Sequence, residues 1–134
     1  TYEIGMSEIS IREKTGLLAY SPLAAGYLTG KYRNKQIPKN SRLDLHYDNY
    51  HRYHKKRTYD AIDEYYKISK KYKISLAKLS IAFVNSRDFV TSNIIGATKM
   101  EQLKENIDSI NVSLDQQIID EINLVHQNNP NPSP

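Results

Sequence analysis

The 134-residue sequence contains no cysteine, which removes a disulfide framework and any thiolate metal site from consideration. No apolar run approaches the roughly 20 residues that a membrane-spanning helix requires. No charged-then-apolar leader opens the stretch that starts at Thr1. Together these absences make a reducing, cytoplasmic setting the expectation. The first residue is Thr1 rather than Met, so the sequence need not begin where the gene product does. Glycine and proline are scarce, at five each, so the places where they fall carry weight as breaks. No internal repeat stands out.

What is present suits one soluble globular domain on the polar side, with 39% apolar and 25% charged residues. The formal charge is +4 and unevenly spread: between Lys31 and Arg57, nine Lys or Arg face only Asp44 and Asp48. A solvated loop, a seat for an anionic small ligand and a nucleic-acid surface all fit such a stretch. His46, His51 and His54 lie within it, but their spacing matches no common zinc pattern, so structural or surface roles are expected for them.

Along the chain, residues 3–14 read as a moderately amphipathic helix weakened by Gly5. LLAY at 17–20 reads as a short buried strand, followed by SPLAAGYLTGKY with Gly26 and Gly30 supplying backbone freedom. Residues 31–57 form a long basic region without a steady period, expected to be a loop that is functional or disordered. Helices are expected at 58–72 and at 75–87, the second capped by Ser75. SNIIGA supplies a second strand with Ile94 and Ile95. Thr98 with Glu101, and Ser113 with Gln116, have capping-box spacing. The first box opens a helix with Met100, Leu103, Ile107 and Ile110 as its apolar stripe. The second opens one with Leu114, Ile118, Ile122 and Val125 inward. The main domain is expected over residues 1–127, with 128–134 as a flexible tail that has nothing to pack against.

Two strands separated by helices imply parallel pairing through crossovers. Two strands alone leave open edges and half-covered apolar faces, so the pattern looks like part of a larger sheet. The turn between the second strand and its helix collects Gly96, Thr98 and Lys99. Free N–H groups and the positive end of the helix dipole make such a turn a seat for phosphate. It would serve equally as an ordinary capped helix start. Gln102 and Asn106 are four apart on that helix, and Glu105 is three from Gln102, so all three belong to one region of its surface.

YSPLAAGYLTGKY (20–32), NSRLDL (40–45) and IIGATKMEQLKENI (94–107), in this order and spacing, resemble the last third of the aldo-keto reductases. The ending from Ser113 is similar to that of the bacterial Tas-type branch. The resemblance covers nearly the whole chain. It implies an α/β fold, the C-terminal part of a (β/α)8 barrel with LLAY as strand seven and NIIGA as strand eight, the barrel being incomplete within this chain. Barrels of this kind usually take about 250 residues. The resemblance further implies NADP(H) as cofactor and hydride transfer between NADPH and a carbonyl. Ser21, Pro22, Leu23 and Gly26 would border the pyrophosphate, and Lys31 and Arg42 would reach the phosphates. Thr98 and Lys99 would surround the adenosine 2′-phosphate with Gln102 beside them, Gly96 would belong to the same cofactor-binding turn, and Glu105 and Asn106 would meet the adenine. The family's proton-donating tyrosine and its lysine, aspartate and histidine partners lie on earlier strands, with no counterpart here. No catalytic residue is therefore expected, and the chain alone should be inactive. A complementary chain carrying the N-terminal half of the barrel is the partner this implies; no nucleic acid, membrane or metal is. The other reading is a non-catalytic NADP-binding or regulatory module, since relatives that regulate potassium channels share these motifs.

Overall fold

The computed structural model describes residues 2–134. Six α-helices and two strands follow one another among them: α1 (Met6–Arg12), β1 (Leu17–Tyr20), α2 (Arg42–Leu45), α3 (Lys56–Lys71), α4 (Leu76–Asn85), β2 (Val90–Ile94), α5 (Met100–Asp108) and α6 (Gln116–Asn128). The fold is mixed α/β, mostly helical, with one small two-stranded sheet. The two strands pair in parallel, Leu18 opposite Ser92 and Tyr20 opposite Ile94, with an irregularity between Leu17 and Leu18. Parallel pairing brings both C-terminal ends to the same edge, where the loops after each strand meet.

The core lies away from the sheet. Tyr27, Tyr32, Leu43 and Tyr53 from the segment after β1 pack with Ile62 and Ile68 of α3, Leu76 and Leu79 of α4, and Ile118, Ile122 and Val125 of α6. The region 31–57 is therefore not a featureless loop. It runs through short 3₁₀ turns and α2, anchored by buried aromatic residues that irregular spacing conceals from a periodicity reading. The Tyr27 ring stacks on Tyr53 at 5.0 Å and meets Tyr32 edge-on at 5.0 Å. The Tyr32 hydroxyl oxygen accepts a bond from the Leu43 amide at 3.2 Å. Burial pushes the Tyr27 phenol far up.

Several other expectations change. LLAY is a strand but not a buried one, since Leu18 and Tyr20 are 60% and 77% exposed. Only Leu17 and Ala19 turn toward other residues, because just one face of the sheet is covered. The stripe on α5 is displaced in the same way: Met100, Ile107 and Ile110 are exposed, while Asn106 and Ser109 are buried. Small polar side chains let α5 approach α4 closely, and the apolar face is left on the open side. The helix at 3–14 shortens to α1, preceded by a turn at Gly5. Ile95 lies beyond the end of β2. Ser75 does cap α4, accepting from the Lys78 amide. Neither capping box forms. Asp115, not Ser113, caps α6 by accepting from the Ile118 amide at 2.9 Å. At α5 the extended residue is Lys99, which has no side-chain cap bond. The tail does find a contact: Thr58 donates its hydroxyl to the Pro132 carbonyl at 2.8 Å, joining it to α3. Among the described residues, no helix is long and apolar enough to cross a membrane.

Candidate functional site

A groove of about 910 Å³ runs along the edge where the two strands end. The segment Tyr20–Gly26 forms one wall. Ile94–Lys99 with Gln102, Glu105 and Asn106 forms the opposite wall, Pro38–His46 covers one end, and Ala77 of α4 contributes to the floor. All twelve residues singled out from the sequence border this one groove.

The wall after β1 is held in an uncommon conformation. Ser21, Ala24 and Ala25 take positive φ of 58°, 46° and 57°, and Gly26 takes 97°. Left-handed backbone at non-glycine residues costs on the order of 1 kcal/mol each, and such strain gathers at functional sites. Short bonds hold the loop: the Ala24 amide donates to the Ser21 carbonyl at 2.9 Å and the Gly26 amide to the Leu23 carbonyl at 2.8 Å. Thr29 closes it by donating its hydroxyl to the Gly26 carbonyl at 2.8 Å. Pro22 and Leu23 are half-buried between these bonds. The Lys31 side chain folds back over Gly26, so that a Cβ placed there would lie 3.3 Å from its Nζ.

Arg42 is the first residue of α2, and its side chain is exposed at the groove. Ser41 caps that helix, and Asp44 turns back to accept from the Asn40 amide at 2.8 Å. Across the groove, the Thr98 amide and hydroxyl both donate to Gln102 Oε1 at 3.2 Å, a clasp that ties the turn to α5. Thr98 thus stands before the helix rather than capping it. The uncapped first turn of α5 keeps its N–H groups for solvent or an anion. Asn106, 4% exposed, donates from Nδ2 to the Gly96 carbonyl at 3.4 Å and fixes the other end of the turn. Glu105 receives a bond from Ser75. Lys78 of α4 bonds Asp108, and together with Asn111 it holds that carboxyl below the usual carboxylate range.

Lys31, Lys39, Arg42 and Lys99 bring positive charge to the groove, and Glu105 is the carboxylate among its lining residues. The arrangement suits a polyanion with a neutral hydrogen-bonding group near Glu105. Lys39, Ser41 and His46 border the groove but were not among the sequence candidates. Their excess of charge was visible in the basic stretch, but nothing in their spacing told which of its cations would turn this way. Among the described residues, no cluster of three His, Cys, Asp or Glu side chains converges as a metal site. His54 stacks on Tyr47 at 4.0 Å, and burial, helped by nearby His51, lowers its pKa.

Residues 5–126 match the Aldo/keto reductase family. The protein Tas of Escherichia coli strain K12 is 39% identical over 134 residues, which is all of this chain and 38% of that protein. A probable voltage-gated potassium channel subunit beta of Oryza sativa subsp. japonica is 37% identical over 121 residues, 86% of this chain and 36% of its own length. L-glyceraldehyde 3-phosphate reductase of Escherichia coli strain K12 is 32% identical over 123 residues, covering 81% of this chain and 35% of that enzyme. The chain therefore spans between 35% and 38% of the length of these relatives.

Proposed function

Because the chain belongs to the aldo/keto reductase family, in its Tas-type branch, we propose that its groove is the nucleotide-phosphate part of an NADP(H) site serving hydride transfer to or from a carbonyl. The observation that carries this reading is the convergence of twelve residues from three separate sequence segments on one cationic groove. The residues fit the group. Lys31 and Arg42 neutralise the pyrophosphate, and the tight approach at Gly26 leaves room for it against backbone. Thr98 and Lys99, with the uncapped first turn of α5, take the 2′-phosphate. Gln102, which accepts from the Thr98 amide and hydroxyl, would lie beside that phosphate. Glu105 accepts a bond from the adenine, and Asn106 holds the turn in place through Gly96.

NADPH supplies the hydride when bound; this chain's part is to bind and orient its adenosine end. The strand pair is read as strands seven and eight of a (β/α)8 barrel, and the remaining strands cover the exposed face of Leu18, Tyr20 and Ile94. They come from a complementary segment or chain, which also brings the proton-donating group. The potassium-channel relative favours a second reading, a binding module without turnover.

Fluorescence titration of the chain with NADPH and NADH tests the proposal. Saturable NADPH binding, at least about tenfold tighter than NADH and weakened by salt, is expected from a charge-assisted contact to the extra phosphate. Equal or absent binding contradicts it. A second arm adds a polypeptide carrying the remaining strands and measures carbonyl-dependent NADPH oxidation. Turnover only in the mixture is the expected result, and an associated but inactive pair leaves the binding module as the correct reading.

A further inference from the structure

Ser75, the N-cap of α4, reaches a residue of the groove wall. Ser75 caps α4 by accepting from the Lys78 amide at 3.2 Å, and the same hydroxyl donates to Glu105 Oε1 at 2.6 Å. A hydroxyl has one donor and two acceptor positions, so the two bonds do not compete. Three residues further along each helix, Lys78 bonds Asp108 and repeats the tie one turn on. Glu105 is only half-buried, and its unbranched side chain has three rotatable bonds. Ser75 removes that freedom at one carboxylate oxygen and leaves Oε2, on a residue that lines the groove.

We propose that Ser75 is a positioning residue that sets the Glu105 carboxylate to select a base with an exocyclic amino group. This deepens the nucleotide reading and rests on it. A fixed carboxylate oxygen is purely an acceptor. It pairs with the amino group of adenine and is repelled by the carbonyl oxygen that hypoxanthine carries in the same place. A carboxylate free to rotate would swing into water and discriminate poorly.

The cap and the positioning role separate by substitution. Asp and Asn cap helices about as well as Ser, but only Asn keeps a donor for Glu105. The full chain, Ser75→Asn, Ser75→Asp and Glu105→Gln are titrated with NADPH and with its hypoxanthine analogue, and thermal midpoints are recorded alongside. The parent and Ser75→Asn are expected to prefer the adenine nucleotide about tenfold, and Ser75→Asp to fall within about twofold of no preference while its helix stays capped. In the Glu105→Gln background, Ser75→Ala should remove no further discrimination, a comparison that stands even where Ser75→Asp folds poorly. Equal discrimination by the Asp and Asn variants overturns the role of Ser75 alone. A parent chain that binds neither nucleotide overturns the nucleotide reading and this inference together.

Discussion

Gly26 and Gly96 face the same groove for different reasons. Gly26 sits at φ 97°, and a Cβ there would meet Lys31 Cε at 3.2 Å and Tyr32 Cε2 at 3.5 Å. The lysine end is flexible and can yield, so the larger penalty is the backbone. Gly26→Ala is predicted to lower stability by about 1–2 kcal/mol and, by displacing the Lys31 ammonium, to weaken NADPH binding as well. Denaturant unfolding and the same titration measure the two effects, and a variant as stable and as tight as the parent would contradict both. A Cβ at Gly96 would have nothing within 4 Å, so the fold itself does not require glycine there. The backbone angle and the crowding that separate the two glycines are properties of the folded loop and are not visible in the sequence. Thr98 teaches the same lesson. Its spacing to Glu101 announced a cap, but its hydroxyl went to Gln102, one turn along the helix it precedes.

Among the elements, those with a complete set of neighbours were the ones whose burial pattern could be anticipated. The faces of α3, α4 and α6 carry Ile62, Leu76, Leu79, Ile118 and Ile122 inward because all three helices pack into the shared core. The polar link between α3 and α6 is Glu121, which accepts from Lys71 Nζ and from the Tyr72 hydroxyl, each at 2.6 Å. Those bonds, the lysine's first, hold the Glu121 carboxyl below its ordinary value of 4.5. A carboxyl whose folded pKa is depressed stabilises the fold fully above its unfolded value and loses that contribution as pH falls through the folded one. The parent's thermal midpoint is therefore predicted to drop more steeply than that of Glu121→Gln between about pH 5 and about pH 3. Parallel pH profiles would show that the link adds nothing. By contrast, β1 and α5 kept their predicted type while their apolar faces stayed exposed. Periodicity identifies which face is apolar; it does not say what covers it.

At the scale of the whole molecule, most of the exposed apolar side chains fall on α1, the two strands and α5, with Ile37, Leu45, Tyr47 and Leu124 exposed elsewhere. Ile4, Met6, Ile9 and Ile11 lie at α1, Leu18 and Tyr20 on β1, Ile94 on β2, and Ile107 and Ile110 at the end of α5. A cavity of about 360 Å³ is bordered by Ile81, Val90, Ile107 and Ile110, so packing is looser on this side. The opposite side, around the tyrosine cluster and α3, α4 and α6, is closed. The groove lies between these two regimes, built from the strained loop after β1 on the core side and the turn into α5 on the open side. Its membership was readable because three motifs resemble those of the aldo/keto reductases, and at the turn into α5 the local chemistry pointed the same way. Of the wall from Pro38 to His46 the NSRLDL motif marked Arg42, whereas Lys39, Ser41 and His46 stayed unmarked, because only tertiary packing through Leu43 and Tyr32 brings them there. Following the amide chemical shifts of the chain during an NADPH titration tests the central claim most directly. The largest changes are predicted at Ser21–Gly26 and Gly96–Lys99, with α6 and the outer face of α3 unmoved. Changes centred on α3 and α6, or none at saturating NADPH, would contradict it.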